Sequence, residues 1–139
     1  MRAVLDTNVV VSGVFFGGVP KRVLERCFDG EFECLVTPDI ADEYLRTFAR
    51  LGSRYPELEY GAVLGAILGQ STLVAESSPG EPITADPADD KFMLCARDQD
   101  AVVVSGDRHL LDVDGWMGVR VVTPRDFLAL LDEASVDEE

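Results

Sequence analysis

Six acids in this chain sit where their type and spacing could do chemistry: Asp6, Glu43, Asp86, Asp89, Asp90 and Asp107. Asp6 closes the apolar run "RAVL", and Asp107 follows "AVVVSG". Short valine-rich runs ending on small polar residues read as buried parallel strands. Ligands of open parallel sheets bind outside the carboxyl ends of the strands, so both aspartates are expected on one edge. Glu43 lies about one turn into a helix opened by Pro38, and the aspartates of "DPADDK" begin another helix, so both helix starts can reach that edge. From Asp89, the i+3, i+4 and i+7 positions are Phe92, Met93 and Ala96, which puts Asp89 on the face turned to the sheet. Asp90 aligns with Leu94 and Arg97 on a more exposed face, and Asp86 precedes the helix as a possible N-cap. The helical period therefore favours Asp89, with Asp86 and Asp90 in reserve.

Taken singly, each acid has a plain explanation. Asp6 could serve a turn, Glu43 could face solvent, and Asp107 could cap the short "DRHLL" helix. Two strand-end acids and two helix-start acids aimed at one edge are hard to explain as separate caps. Carboxylates with no histidine or cysteine among them are hard oxygen donors, which suit Mg²⁺ or Mn²⁺ over zinc or copper. Such a site fits phosphoryl chemistry, one ion acidifying a water and a second, roughly 4 Å away, stabilising the departing oxygen. The balance of 26 acids against 12 bases, a formal charge of −14, argues against passive electrostatic binding of nucleic acid. A metal-dependent nuclease escapes that objection, because the ions bring the positive charge the chain lacks.

The elements that must position these acids alternate. "RAVLD", "FECLVTP", "AVVVSGD" and "VRVVTP" read as strands, with "STLVAE" a candidate fifth. Helical periodicity appears in "VPKRVLERCFDG", "PDIADEYLRTFARLG", "PELEYGAVLGAILGQ", "ADDKFMLCARDQ" and "PRDFLALLDE". Gly61, Gly65 and Gly69 make a flat stripe on the third of these, suited to close approach of another helix. The stretch "ESSPGEPITADP" reads as a surface loop. Strands alternating with helices predict an α/β domain with a mainly parallel sheet of about five strands, covered on both sides.

Along nearly its whole length the sequence resembles the PIN-domain family of small metal-dependent ribonucleases, which includes toxin components of prokaryotic toxin–antitoxin pairs. The resemblance is carried in order by "VLDTNVVVSGVF", "GGVPKRVLE", "TPDIADEYL", "DPADDKFMLCA" and "VVVSGDRHLL". It implies a three-layer α/β/α sandwich and an endoribonuclease that cuts RNA by metal-activated water. Asp6, Glu43, Asp89 and Asp107 would be catalytic and hold Mg²⁺ or Mn²⁺, with Thr7, Asn8 and Ser105 as supporting polar groups. It also implies a homodimer and a small antitoxin partner. Family members often carry a further acid within "DPDD", where this chain has Ala88, so the choice among Asp86, Asp89 and Asp90 stays open. His109, the only histidine, reads as a structural residue of the helix that starts beside it, and Lys91, Arg97 and Arg108 as surface bases.

The 139 residues suit one domain, expected over 1–132, with 133–139 an acidic, poorly ordered tail. No stretch approaches the roughly 18 apolar residues of a membrane span and the start lacks a signal-peptide layout, so the chain is expected in the cytoplasm without membrane contact. Cys27, Cys34 and Cys95 have no metal-site spacing and are expected buried and reduced. The alternative from another class is a catalytically silent PIN-like module that binds protein or RNA. A phosphoacceptor domain ranks lower, since "VRVVTPRDF" offers no lysine after its strand.

Overall fold

Five short strands build one sheet in the computed structural model, which describes residues 1–57, 59–78 and 80–137. They are Arg2–Leu5 (β1), Glu33–Val36 (β2), Thr72–Leu73 (β3), Val102–Val104 (β4) and Val121–Val122 (β5). The spatial order is β3-β2-β1-β4-β5, and every pairing is parallel. Ala3 is in register with Cys34 on one side and Val102 on the other. Ala3, Val4, Leu5, Val103 and Val104 are wholly buried, which explains their unbroken apolar runs: a strand covered on both faces has no solvent side to make polar. The chain moves to one side of β1 for β2 and β3 and to the other for β4 and β5. The order thus reverses at β1, and the crevice at the carboxyl ends of β1 and β4 is the natural ligand site of such a sheet.

The helices are Thr7–Phe15 (α1), Gly18–Phe28 (α2), Pro38–Arg54 (α3), Gly61–Gln70 (α4), Asp90–Gln99 (α5), Arg108–Leu111 (α6) and Pro124–Asp137 (α7). α5 packs on β1 and β4, α3 on β2, and α7 on β5 and α2, giving the expected α/β/α sandwich. The two "VTP" segments behave alike. Thr37 Oγ1 accepts the Ile40 N–H at 3.1 Å and Thr123 Oγ1 accepts the Asp126 N–H at 3.1 Å, each with proline in the first helical turn, where its missing N–H costs nothing. α3 buries Ile40, Tyr44 and Phe48 on one stripe, and the Tyr44 hydroxyl donates to the Leu5 carbonyl, tying α3 to the end of β1.

One helix escapes the sequence reading. "TNVVVSGVF" is rich in β-branched residues, which lose side-chain freedom in a helix, yet it forms α1. Burial decides: Val9, Val10 and Val11 are all in the core. A Cβ on Gly13 would stand 2.5 Å from Leu24 Cδ1 and 3.0 Å from the Pro20 carbonyl oxygen, so this glycine lets α1 and α2 pack closely. At Gly61, Gly65 and Gly69 a Cβ would meet nothing within 4 Å, so the small-residue stripe of α4 faces open space in the single chain. Of the acidic end, 133–137 continue α7, and 138 and 139 lie outside the described residues. All three cysteines are buried and free.

Candidate functional site

Asp6 follows β1 directly and stands at the N-cap position of α1, with only 3% of its surface exposed. Its carboxylate accepts the Ser105 hydroxyl at 2.7 Å, and the same hydroxyl oxygen accepts the Asp107 N–H at 2.9 Å. Ser105 is fully buried just past β4, so one side chain links the ends of the two central strands. Burial lifts the Asp6 carboxyl above its ordinary value; the Ser105 hydroxyl and the Asn8 backbone N–H oppose this, while the charges of Asp107 and Glu43 add to it.

Asp107 caps α6, its Oδ1 accepting the His109 N–H at 3.1 Å. The capping role is therefore real, but it occupies only one of the two carboxylate oxygens. Asp89 ends the 3₁₀ turn Pro87–Asp89 at the start of α5. Ligand atoms of Asp89, Asp107 and His109 all lie within 4.8 Å of one another, a group that could hold a metal ion. His109, set aside in the sequence as structural, thus joins the cluster. The two-residue step from a capping aspartate was the available signal, since it places His109 in the first turn of α6.

Glu43 projects from α3 into the same region with both oxygens engaged: Thr7 Oγ1 donates to Oε2, and the Lys91 ammonium lies 2.6 Å from Oε1. Lys91 is only 15% exposed, so it is a built-in countercharge rather than the surface base its sequence position suggested. The reserve aspartates do other work. Asp90 accepts the Thr84 N–H at 2.9 Å and the Thr84 hydroxyl at 2.8 Å, fastening the loop before α5, and Asp86 accepts the Ala88 N–H at 3.0 Å as N-cap of the 3₁₀ turn. Asn8 is exposed and lines a cleft with Ser12, Pro20, Gly106 and Asp107. Arg97 pairs with Asp98 at 2.9 Å and lies over the Trp116 ring, away from any role at the crevice, and Arg108 is exposed beside it.

A family model described as a PIN domain matches residues 2–109, which take in β1 through the start of α6 and every acid described above. The chain belongs to the PIN-domain family. No curated protein gives a significant match to it. PIN domains are nucleases as a class, and the matched segment ends at His109, so the whole acidic cluster of this PIN domain lies inside the family's boundaries.

The electrostatics of this PIN domain fit a divalent cation. Asp89 is pushed up to about 6 by its partial burial first, and then by the charges of Asp6, Asp107, Asp86 and Glu43. Burial and the neighbouring acids together oppose ionisation of Asp89, a cost that a cation sharing the crevice relieves. Hard carboxylate oxygens and one imidazole make a donor set a divalent metal can accept. No helix of the described chain is long and apolar enough to cross a membrane.

Proposed function

We propose that this PIN domain is an Mg²⁺- or Mn²⁺-dependent endoribonuclease that hydrolyses RNA phosphodiester bonds, and that it is the toxin half of a toxin–antitoxin pair. The observation that carries the reading is the approach of Asp89 and Asp107, whose carboxylate oxygens come within 4.8 Å of each other, with the buried Asp6 near enough to interact with both charges. Asp6, Asp89 and Asp107 would hold the ion, with Glu43 at the margin of the set. When bound, that ion supplies positive charge to a phosphodiester and acidifies the attacking water. The chain's own groups do the positioning. Ser105 orients Asp6, the His109 N–H orients Asp107, and Thr7 with Lys91 orients Glu43. Asn8, exposed on the cleft beside Asp107, is placed to donate to a phosphate or ribose oxygen.

In the cell we assign the protein to the cytoplasm, as a homodimer restrained by a small antitoxin, with 1–132 as its single domain. The open face of α4 supports association, since a Cβ at Gly61, Gly65 or Gly69 would meet nothing within 4 Å. Labelled single-stranded RNA and DNA of the same base sequence, offered to the purified protein with Mn²⁺, test the substrate. Cutting of RNA alone is expected. Equal cutting of both, or binding of RNA without cutting, contradicts the ribonuclease reading, and the latter favours a silent binding module.

A further inference from the structure

We propose that His109 is a direct ligand of the catalytic cation, giving this site one nitrogen donor and a preference for Mn²⁺ over Mg²⁺. The inference rests on the metal-dependent reading above and goes beyond its all-carboxylate site. Its basis is geometric. A ring nitrogen of His109 lies within 4.8 Å of carboxylate oxygens of both Asp89 and Asp107, so a single ion between them can reach all three. The cap holds the arrangement, because the His109 N–H donates to Asp107 Oδ1 at 3.1 Å and keeps the two residues in one half-turn.

The neighbouring acids strengthen the case. Both Glu43 oxygens already have partners, Thr7 Oγ1 and the Lys91 ammonium, so Glu43 is the acid least free to turn to an ion. Asp90 is committed to Thr84, and Asp86 to Ala88. The His109 ring, by contrast, makes no hydrogen bond or ion pair among the described residues, and the residue is exposed, so nothing must be broken for it to coordinate. Imidazole is a softer donor than carboxylate. Exchanging one oxygen for it favours a transition metal over Mg²⁺, which takes oxygen ligands and keeps much of its water.

The test uses Mn²⁺ alone with metal-free, untagged full-length protein. Because His109 is the only histidine in the chain, any imidazole signal has one source. Pulsed electron paramagnetic resonance of bound Mn²⁺ is expected to show coupling to a directly ligated ¹⁴N, and His109→Ala and His109→Gln are expected to lose it. Both variants should bind Mn²⁺ at least about 10-fold more weakly, with a smaller change for Mg²⁺. Bound Mn²⁺ without directly ligated nitrogen in the wild type overturns the proposal while leaving the metal-dependent reading standing. Coupling that persists in both variants also overturns it. Failure of the wild type to bind Mn²⁺ at all overturns both.

Discussion

Ser105 donates a hydrogen bond to Asp6 at 2.7 Å, although the two residues lie 99 positions apart in the chain. The contact exists because β1 and β4 are parallel neighbours with Leu5 opposite Val104, so the residues just past each strand meet at the same edge. A buried carboxylate needs such a donor: without one its charge is costly, and with one it is held in a single orientation.

Ser105→Ala should therefore act twice. Loss of a buried hydrogen bond to a charged group costs about 1–3 kcal/mol of stability, and Asp6, already raised by burial, rises further and holds a cation less well. Chemical unfolding and Mn²⁺ titration read the two effects. A variant as stable and as metal-competent as the wild type would show that Ser105 does not support the site.

Asp89 makes the metal-free protein sensitive to pH. Its carboxyl titrates near 6 in the fold against an ordinary 3.8. Its favourable share of stability is complete below about pH 4, where it is protonated folded or unfolded, and is lost as pH rises through 6. Asp89→Asn should remove that slope and, in EDTA at pH 7.5, be more stable than the wild type by about 1–2 kcal/mol, allowing for solvent screening at a partly exposed site. Urea unfolding at several pH values checks this; parallel curves for the two proteins would refute it.

Asp90→Ala separates the neighbouring aspartates. Releasing Thr84 from Asp90 should cost about 1–3 kcal/mol and loosen the loop before α5 while leaving Mn²⁺ affinity within a few-fold. Calorimetric titration in which Asp90→Ala loses the metal and Asp89→Ala retains it would reverse the assignment.

Lys91→Met leaves Glu43 facing the other acids without its ammonium partner, which lies 2.6 Å away. The metal-free melting temperature should fall by an amount worth about 1–2 kcal/mol, and added Mn²⁺ should recover most of it. An equal fall with and without Mn²⁺ would mean that Lys91 serves only packing.

The positions of Asp6 and Asp107 at one sheet edge were legible in sequence because a valine run ending on aspartate encodes a buried strand and marks its carboxyl end. Asp89 was legible through its period with Phe92, Met93 and Ala96, which are buried as the pattern requires. What separates Asp89 from Asp90 in the structure is the bond from Asp90 to Thr84, a loop contact with no periodic trace. α1 was hidden because four of its nine residues are valines, whose intrinsic preference opposes the helix that core burial enforces. Lys91 was underrated because a charged side chain reads as surface until the fold brings a partner from a distant segment, here Glu43, beside it.

Asp6, Asp89 and Asp107 are proposed to form the metal site of a ribonuclease. The most direct test is cleavage of a panel of labelled RNAs by purified protein in EDTA, Mg²⁺ or Mn²⁺, run beside Asp6→Asn prepared identically. Cutting is expected to need the metal and to be lost in Asp6→Asn while the variant stays folded. Cutting that persists in EDTA, or equal cutting by wild type and Asp6→Asn, would contradict the proposal.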